Sequence, residues 1–258
     1  MRDADEARYG RTSLLLLNVC PFTLRHVIND YYVKHGYTSL QDFLDKNKHD
    51  LYHILNRRCC CRRIQSRVTP MNRSQWDLLF SKNSSSCPKG YTGDCPCQYD
   101  AKPGVISDVM DITLCCLFIK NICTRHAGIN MSHVDTIRTI RNHIIHAEKA
   151  HLDVLTYNGY WNRVRFALLD LANNVSPKVY TDTLNMIQEL ETRVMNASEI
   201  GEIRKLLVDQ KRIEVLEEVC ILNKHGRSAS KSRRQGKIIR MTNFDNDHIP
   251  VLSTKSIL

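Results

Sequence analysis

Apolar residues recur along most of the chain at the three- and four-residue spacing of helices, with one long gap in the middle. Residues 12–35 are predicted helical, interrupted near Cys20-Pro21, because proline has no N–H with which to continue the ladder. Gly36 closes that stretch. Ser39, with Asp42 three residues on, is a capping-box-like start. Leu40, Phe43, Leu44, Leu51, Ile54 and Leu55 then fall on one helical face. A basic, cysteine-rich connection follows, then a short segment around Trp76, Leu78, Leu79 and Phe80. Residues 81–104 hold Ser, Gly, Pro and Cys without periodicity, and a loop this long inside a compact domain usually carries a function or a staple.

Beyond the gap the helical pattern resumes. Ile106 to Cys123 is apolar nearly all round, as in a buried central helix. Ser132 with Asp135 repeats the capping pattern and opens a helix predicted to run to about Lys149. Asn158-Gly159 reads as a turn, and Tyr160 to Ala172 is again amphipathic. From Thr181 to Leu222, Leu184, Ile187, Leu190, Val194, Ile200, Ile203, Leu207, Ile213, Leu216 and Val219 are spaced as in one or two long helices. Gly201 breaks the heptad, which favours two helices packed on the bundle over a strict coiled coil. The fold class is all-α. The expected organisation is an N-terminal segment (1–11), a helical domain (12–175) with a basic, cysteine-rich insert (57–104), a helical extension (178–222) and a basic disordered tail (223–258).

Composition adds little except in its charge. The 258 residues are 42% hydrophobic and 25% charged, which excludes a wholly disordered or fibrous chain. Ten glycines, seven prolines and 7% aromatics argue against a sandwich or barrel. The net charge of +10 is local. Arg57 to Arg73 carries six arginines and Lys224 to Arg240 seven basic residues, neither with an acid, so the remainder is net negative. Such segregation suits contact with a polyanion, and Arg57, Arg58, Arg62, Arg63, Arg67, Arg233 and Arg234 are the candidate RNA-binding residues. The segment 224–240 reads equally as a nuclear localisation signal or as a solvated tail. No 18-residue apolar run exists and no signal-peptide core is evident, so a cytoplasmic protein without a membrane span is expected, with nuclear entry through 224–240 as the variant.

In a reducing compartment the eleven cysteines should be thiols or metal ligands. Cys59, Cys60 and Cys61 are consecutive, and Cys87, Cys95 and Cys97 follow in the irregular loop. No C-x2-C pair occurs, so neither group is a zinc-ribbon or RING half-site. One or two of the first group with two or three of the second could form a four-thiolate structural zinc site, with Cys59, Cys61, Cys87, Cys95 and Cys97 as the candidate ligands, four of these or with Cys60. The alternative is a set of reduced surface thiols, made reactive by neighbouring arginines. Cys115, Cys116 and Cys123 read as small core residues.

The densest chemistry lies in Arg138-Thr139-Ile140-Arg141-Asn142-His143-Ile144-Ile145-His146. Arg141 and His146 would point about 140° apart on an ideal helix, whereas Asn142 and His146 share a face. Convergence of Arg141 and His146 needs a local bend or two copies of the helix facing each other, hence a homodimer. This Arg-Asn-x-x-x-His word resembles the Rx4-6H signature of HEPN domains. Gln75-Trp76-Asp77-Leu78-Leu79-Phe80, Met110-Asp111-Ile112-Thr113-Leu114, Asn121-Ile122-Cys123 and Trp161, in that order, are similar to the HEPN subfamily of the DAZ-interacting E3 ubiquitin ligase, over roughly residues 12–175.

The resemblance implies a HEPN-like helical bundle that binds RNA. In active members it implies metal-independent cleavage, with a 2′-hydroxyl attacking the adjacent phosphate to leave a 2′,3′-cyclic phosphate and a 5′-hydroxyl. His146 would move the proton, Arg141 would hold the phosphorane oxygens, and Asn142 would orient the His or the phosphate. His143 and His151 are spare candidates without motif support. No cofactor is needed for that chemistry. Similar cysteine-bearing inserts in invertebrate relatives favour the zinc reading. By analogy alone, defence or RNA turnover would be the setting. The competing reading is an inactive dimerisation or protein-interaction module, with 178–222 recruiting a partner. The chain lacks a RING and the G-x4-G-K-[ST] phosphate loop, so ubiquitin transfer, kinase and ATPase activity are not expected.

Overall fold

A computed structural model describes residues 2–56, 59–60, 71–83, 85–91, 93–123 and 129–209. The first helix, α1 (Arg2–Leu14), begins ten residues before the helical stretch read from the sequence. It runs through a single wide turn, Leu15–Val19, into α2 (Cys20–Lys34). That turn is where Pro21 is absorbed. The Cys20 N–H reaches back five residues to Leu15 O, and the wider π spacing lets the chain continue where an α-ladder would lose a bond. The interruption is therefore a bulge inside one long rod.

Ser39 caps α3 (Leu40–Leu55) as expected, accepting from the Asp42 N–H at 3.1 Å, while Thr38 N–H donates to the Asp42 carboxylate at 3.0 Å. Leu40, Phe43, Leu44, Leu51 and Ile54 are buried along its inner face. The apolar 106–123 segment forms the shorter α5 (Ile112–Asn121), because Asp111 caps it by accepting from Leu114 N–H at 2.8 Å. Leu114 to Ile119 are all buried, and α5 packs between α2 and α6 (Met131–Ile145). This is the centre of the molecule.

Three boundaries differ from the periodicity reading. The cap of α6 is Asn130, not Ser132, because Asn130 Oδ1 accepts from Ser132 N–H at 3.0 Å, and the helix stops at Ile145 rather than Lys149. Asn158-Gly159 is no turn: both lie inside α7 (Val154–Val175), whose Asp153 cap accepts from Leu155 and Thr156 N–H. Gly159 has open space around its Cβ position, so the glycine costs only its local helix propensity. Near the end, α8 (Pro177–Thr192) is followed by a break at 193–196 and a helix over residues 197–209. The break lies before Gly201, which is itself helical.

These last helices are part of the bundle. Thr183 on α8 meets Thr23 on α2 hydroxyl to hydroxyl at 3.2 Å, Trp161 on α7 donates to Glu191 at 3.1 Å, and Ile187 and Leu190 are buried. Residues 197–209 bury Ile200, Ile203 and Leu207. There the chain passes so near α1 that a Cβ on Gly10 would stand 3.2 Å from Ile200.

The 71–101 region is built differently. A short helix, α4 (Arg73–Leu79), carries a full capping box between Asn72 and Gln75 and leads into β1 (Phe80–Lys82). β1 pairs antiparallel with β2 (Tyr99–Ala101), Phe80 facing Ala101. This hairpin is the one sheet among the described residues, and it lies on α3: Asp45 accepts from Ala101 N–H at 2.8 Å, and Lys48 donates to Tyr99 O. Trp76 is fully buried, stacked on Phe80 at 4.0 Å between centroids and edge-on to Tyr52 and Tyr99. The class is all-α apart from this hairpin, with the irregular cysteine-bearing insert where the sequence placed it. No helix among the described residues is long and apolar enough to cross a membrane.

Candidate functional site

The Arg141–His146 word occupies the last turn and a half of α6. Arg141 points inward: it is 6% exposed and lines a cavity of about 240 Å³ together with Arg25, Asp108, Asp111, Pro21 and Ile145. Its Nη1 reaches Asn142 Oδ1 at 3.3 Å. Asn142 is half-buried beside it. His146 is the residue on which the helix ends, its N–H donating to Asn142 O at 3.0 Å, and its side chain is exposed. It does not line the cavity. The helix is regular through Ile145, so no bend swings His146 round towards Arg141, and one chain leaves the pair on different sides of α6. Asn142 is brought next to Arg141, and His146 stands exposed at the helix end.

Arg25 was not foreseen. It stands one turn after Pro21 on α2, and both line the same cavity. Its Nε donates to Met110 O at 2.8 Å and its Nη2 to Asp108 O at 2.7 Å, so it fixes the turn that precedes α5. The spacing of Pro21 and Arg25, four residues apart on one helix face, was the signal available. The spare histidines are occupied elsewhere. His143 Nδ1 lies 2.9 Å from the Tyr160 hydroxyl, and His151 pairs with Asp5 at 2.6 Å, tying the α6–α7 connection to α1.

A second constellation forms at the far end of α3. The sulfurs of Cys60, Cys87, Cys95 and Cys97 lie within 4.8 Å of one another, so these four residues could hold a metal ion. Cys59 is not among them, because its sulfur lies 3.5 Å from His53 Nε2 on the α3 side. Cys61, with the basic candidates Arg57, Arg58, Arg62, Arg63, Arg67, Arg233 and Arg234 and the tail 223–258, lies outside the described residues. Burial opposes ionisation of Cys87, but N–H groups of Lys89 and Tyr91 and the thiols of Cys95 and Cys60 outweigh it and bring that group down to about 7. Burial, with the Cys87 contact, pushes Cys95 up to about 11. Burial also raises Cys115, Cys116 and Cys123, as suits core thiols.

The loop carrying Cys95 is held by Asp94. Its carboxylate accepts from the Tyr99 hydroxyl at 2.7 Å, the Tyr52 hydroxyl at 3.1 Å and Arg73 Nη1 at 3.1 Å. Partial burial would raise this carboxyl, yet the two hydroxyls and the guanidinium hold it below the usual carboxylate range. Arg73 belongs to the basic stretch read as a polyanion surface, but it is committed here, bonding Asp77 and Asp94 and lying 5.1 Å from the centre of the Tyr99 ring.

The model of the DZIP3/hRUL138-like HEPN family matches residues 37–199, well over half of the chain, and the chain belongs to that family. The match begins at the approach to α3 and runs through α8. No curated protein and no solved structure matches the chain. Several of the words that carried the resemblance prove to be architectural: Gln75 closes a capping box, Trp76 fills the insert core, Asp111 caps α5, and Trp161 ties α7 to α8.

Proposed function

We propose that this HEPN module binds RNA and that Arg141, Asn142 and His146 form half of a ribonuclease site completed by a second copy of the chain. The observation that carries the reading is the split of the motif. Arg141 is held in a cavity wall beside Asn142, while His146 stands exposed where the same helix ends. A guanidinium fixed in this way is suited to a phosphorane oxygen, and a solvent-facing imidazole at a helix end is suited to proton transfer on a partner's substrate. In that site the RNA 2′-hydroxyl loses its proton to a base and attacks the adjacent phosphorus. The 5′-oxygen leaves and takes up a proton, so a cyclic phosphate and a 5′-hydroxyl result without metal. The arginines of 57–67 and 233–234 supply phosphate contacts in this reading, and RNA affinity falls steeply with salt.

The same split favours the second reading, a HEPN module that assembles without cutting, if two copies do not bring Arg141 and His146 together. The test incubates end-labelled single-stranded and structured RNAs with pure full-length protein in EDTA, with the mass in solution measured in parallel. Wild type is expected to dimerise and to leave cyclic-phosphate ends, with Arg141→Ala and His146→Ala each inactive. Mixing the two inactive variants restores one intact Arg141–His146 pair per mixed dimer, and with it cleavage, if the motif works across the dimer. A monomeric chain that retains RNA without cleaving it, equally well in both variants, would leave the motif as architecture.

A further inference from the structure

We propose that Cys60, Cys87, Cys95 and Cys97 form a closed four-thiolate zinc site that clasps the 71–101 insert to the end of α3. Three observations carry it. First, the spacing is that of ligands. A tetrahedral ion with Zn–S bonds of about 2.3 Å places its sulfurs about 3.8 Å apart. All four sulfurs here lie within 4.8 Å of one another, and Cys60 and Cys97 are 3.6 Å apart. That is a tetrahedron's edge, and far longer than a disulfide bond of about 2.05 Å.

Second, the surroundings donate to sulfur. The backbone N–H groups of Lys89 and Tyr91 point at Cys87, and that of Cys97 points at Cys95. Gly90, with φ +66, makes the turn after Cys87 that allows this, and its N–H bonds Cys87 O at 2.9 Å. His49 Nε2 stands 3.9 Å from the Cys60 sulfur. Such N–H groups offset the negative charge that four thiolates leave around a divalent ion.

Third, the insert has little regular structure with which to close its long loop. Its strands are three residues each, and sixteen residues separate Lys82 from Tyr99. One ion would join the chain just beyond α3 to both ends of that loop, with Asp94 holding the Cys95 side in register through Tyr52, Tyr99 and Arg73. The donor set leaves no open position, so the ion is structural. It takes no part in the RNA chemistry, and this inference stands whether or not that reading does.

The test uses full-length protein purified under reducing conditions. Expected are one zinc per chain by elemental analysis and, after exchange with Co²⁺, the intense thiolate-to-cobalt absorption and tetrahedral d–d bands of a four-sulfur site. Zinc is expected to be lost from Cys60→Ser, Cys87→Ser, Cys95→Ser and Cys97→Ser, and retained by Cys59→Ser, Cys61→Ser and Arg141→Ala. His49→Ala should weaken zinc retention about 10-fold. A chain that takes up neither zinc nor cobalt with its thiols reduced would overturn the assignment. So would iron in place of zinc, cobalt bands of a site with fewer sulfurs, or loss of metal from Cys59→Ser with Cys60→Ser unaffected. The cobalt spectrum reads the wild-type chain and so remains decisive if a serine variant fails to fold.

Discussion

The α5–α8 body and the shorter 71–101 insert order their backbone with different side chains. In the body, Leu114 to Ile119, Ile137, Ile140, Val164 and Leu168 are buried, and helical ladders satisfy the backbone. Burial on that scale, at roughly 25 cal/mol per Å² of apolar surface, sustains helices without specific polar links. The insert has a seven-residue helix and two three-residue strands. Apart from the cluster around Trp76 and the short strand pair, it is held by a carboxylate, a guanidinium and two tyrosine hydroxyls, beside a cluster of four thiols. A body of the first kind loses little when any one polar group is removed, about 1 kcal/mol for a cap. An insert of the second kind depends on a few.

Metal removal is the strongest way to break that contrast. Structural zinc sites contribute apparent free energies on the order of 10 kcal/mol. A chelator under reducing conditions should open the insert, moving Trp76 fluorescence to the red and admitting protease between residues 82 and 99, while the helical signal at 222 nm stays nearly constant. Collapse of the helical signal together with the fluorescence would show that the two regions fold as one unit. Next in size, Phe118→Ala should lower global stability by about 3–5 kcal/mol, because it empties the centre of the body where the ring meets Phe43. Zinc content should not change. Urea unfolding and elemental analysis on one sample check both halves.

How far the sequence could be read follows the same division. Where one apolar face met one capping residue, as at Ser39 and α3, periodicity located the helix to within a residue. It failed where tertiary packing overrode a local signal. Gly159 looks like punctuation, but α7 is capped at Asp153 before it and buries Trp161 and Val164 just beyond it. Pro21 looks like a break, but one π turn carries the rod past it. In the insert only the chemistry was legible: six cysteines without regular spacing suggested a staple, yet nothing local separates Cys59 from Cys60. The choice is made by His53, which takes Cys59, and by a hairpin that presents Cys97 to Cys60. Arg141 and Asn142 were legible as a word; the burial of one guanidinium opposite Arg25 was not.

A smaller effect comes from Asp94. Asp94→Asn keeps the shape but removes the charge that Arg73 and the two hydroxyls address. With solvent reaching the carboxylate, the loss should be about 1 kcal/mol. The pH dependence has a definite sign. A carboxyl held below its unfolded value of 3.8 contributes stability that is fully present above that value and is lost as pH falls through the lower folded value. Acid should therefore loosen the insert in wild type more than in Asp94→Asn, with Trp76 fluorescence as the readout.

The smallest effects give the sharpest comparison, because the same perturbation can be made once in each region. Asn72 caps α4 in the insert, accepting from Gln75 N–H at 2.8 Å, and Ser176 caps α8 in the body, accepting from Val179 N–H at 3.2 Å. Replacing either cap by alanine should cost about 1 kcal/mol. In Ser176→Ala that loss should appear in full in global unfolding, since α8 is packed on α7 and tied to α2 through Thr183 and Thr23. In Asn72→Ala it should appear chiefly as faster amide exchange over residues 73–79 and faster release of the metal, with the global midpoint nearly unmoved. Equal shifts in the global midpoint would mean that α4 unfolds only with the body, and that the clasp secures the whole domain rather than the insert alone.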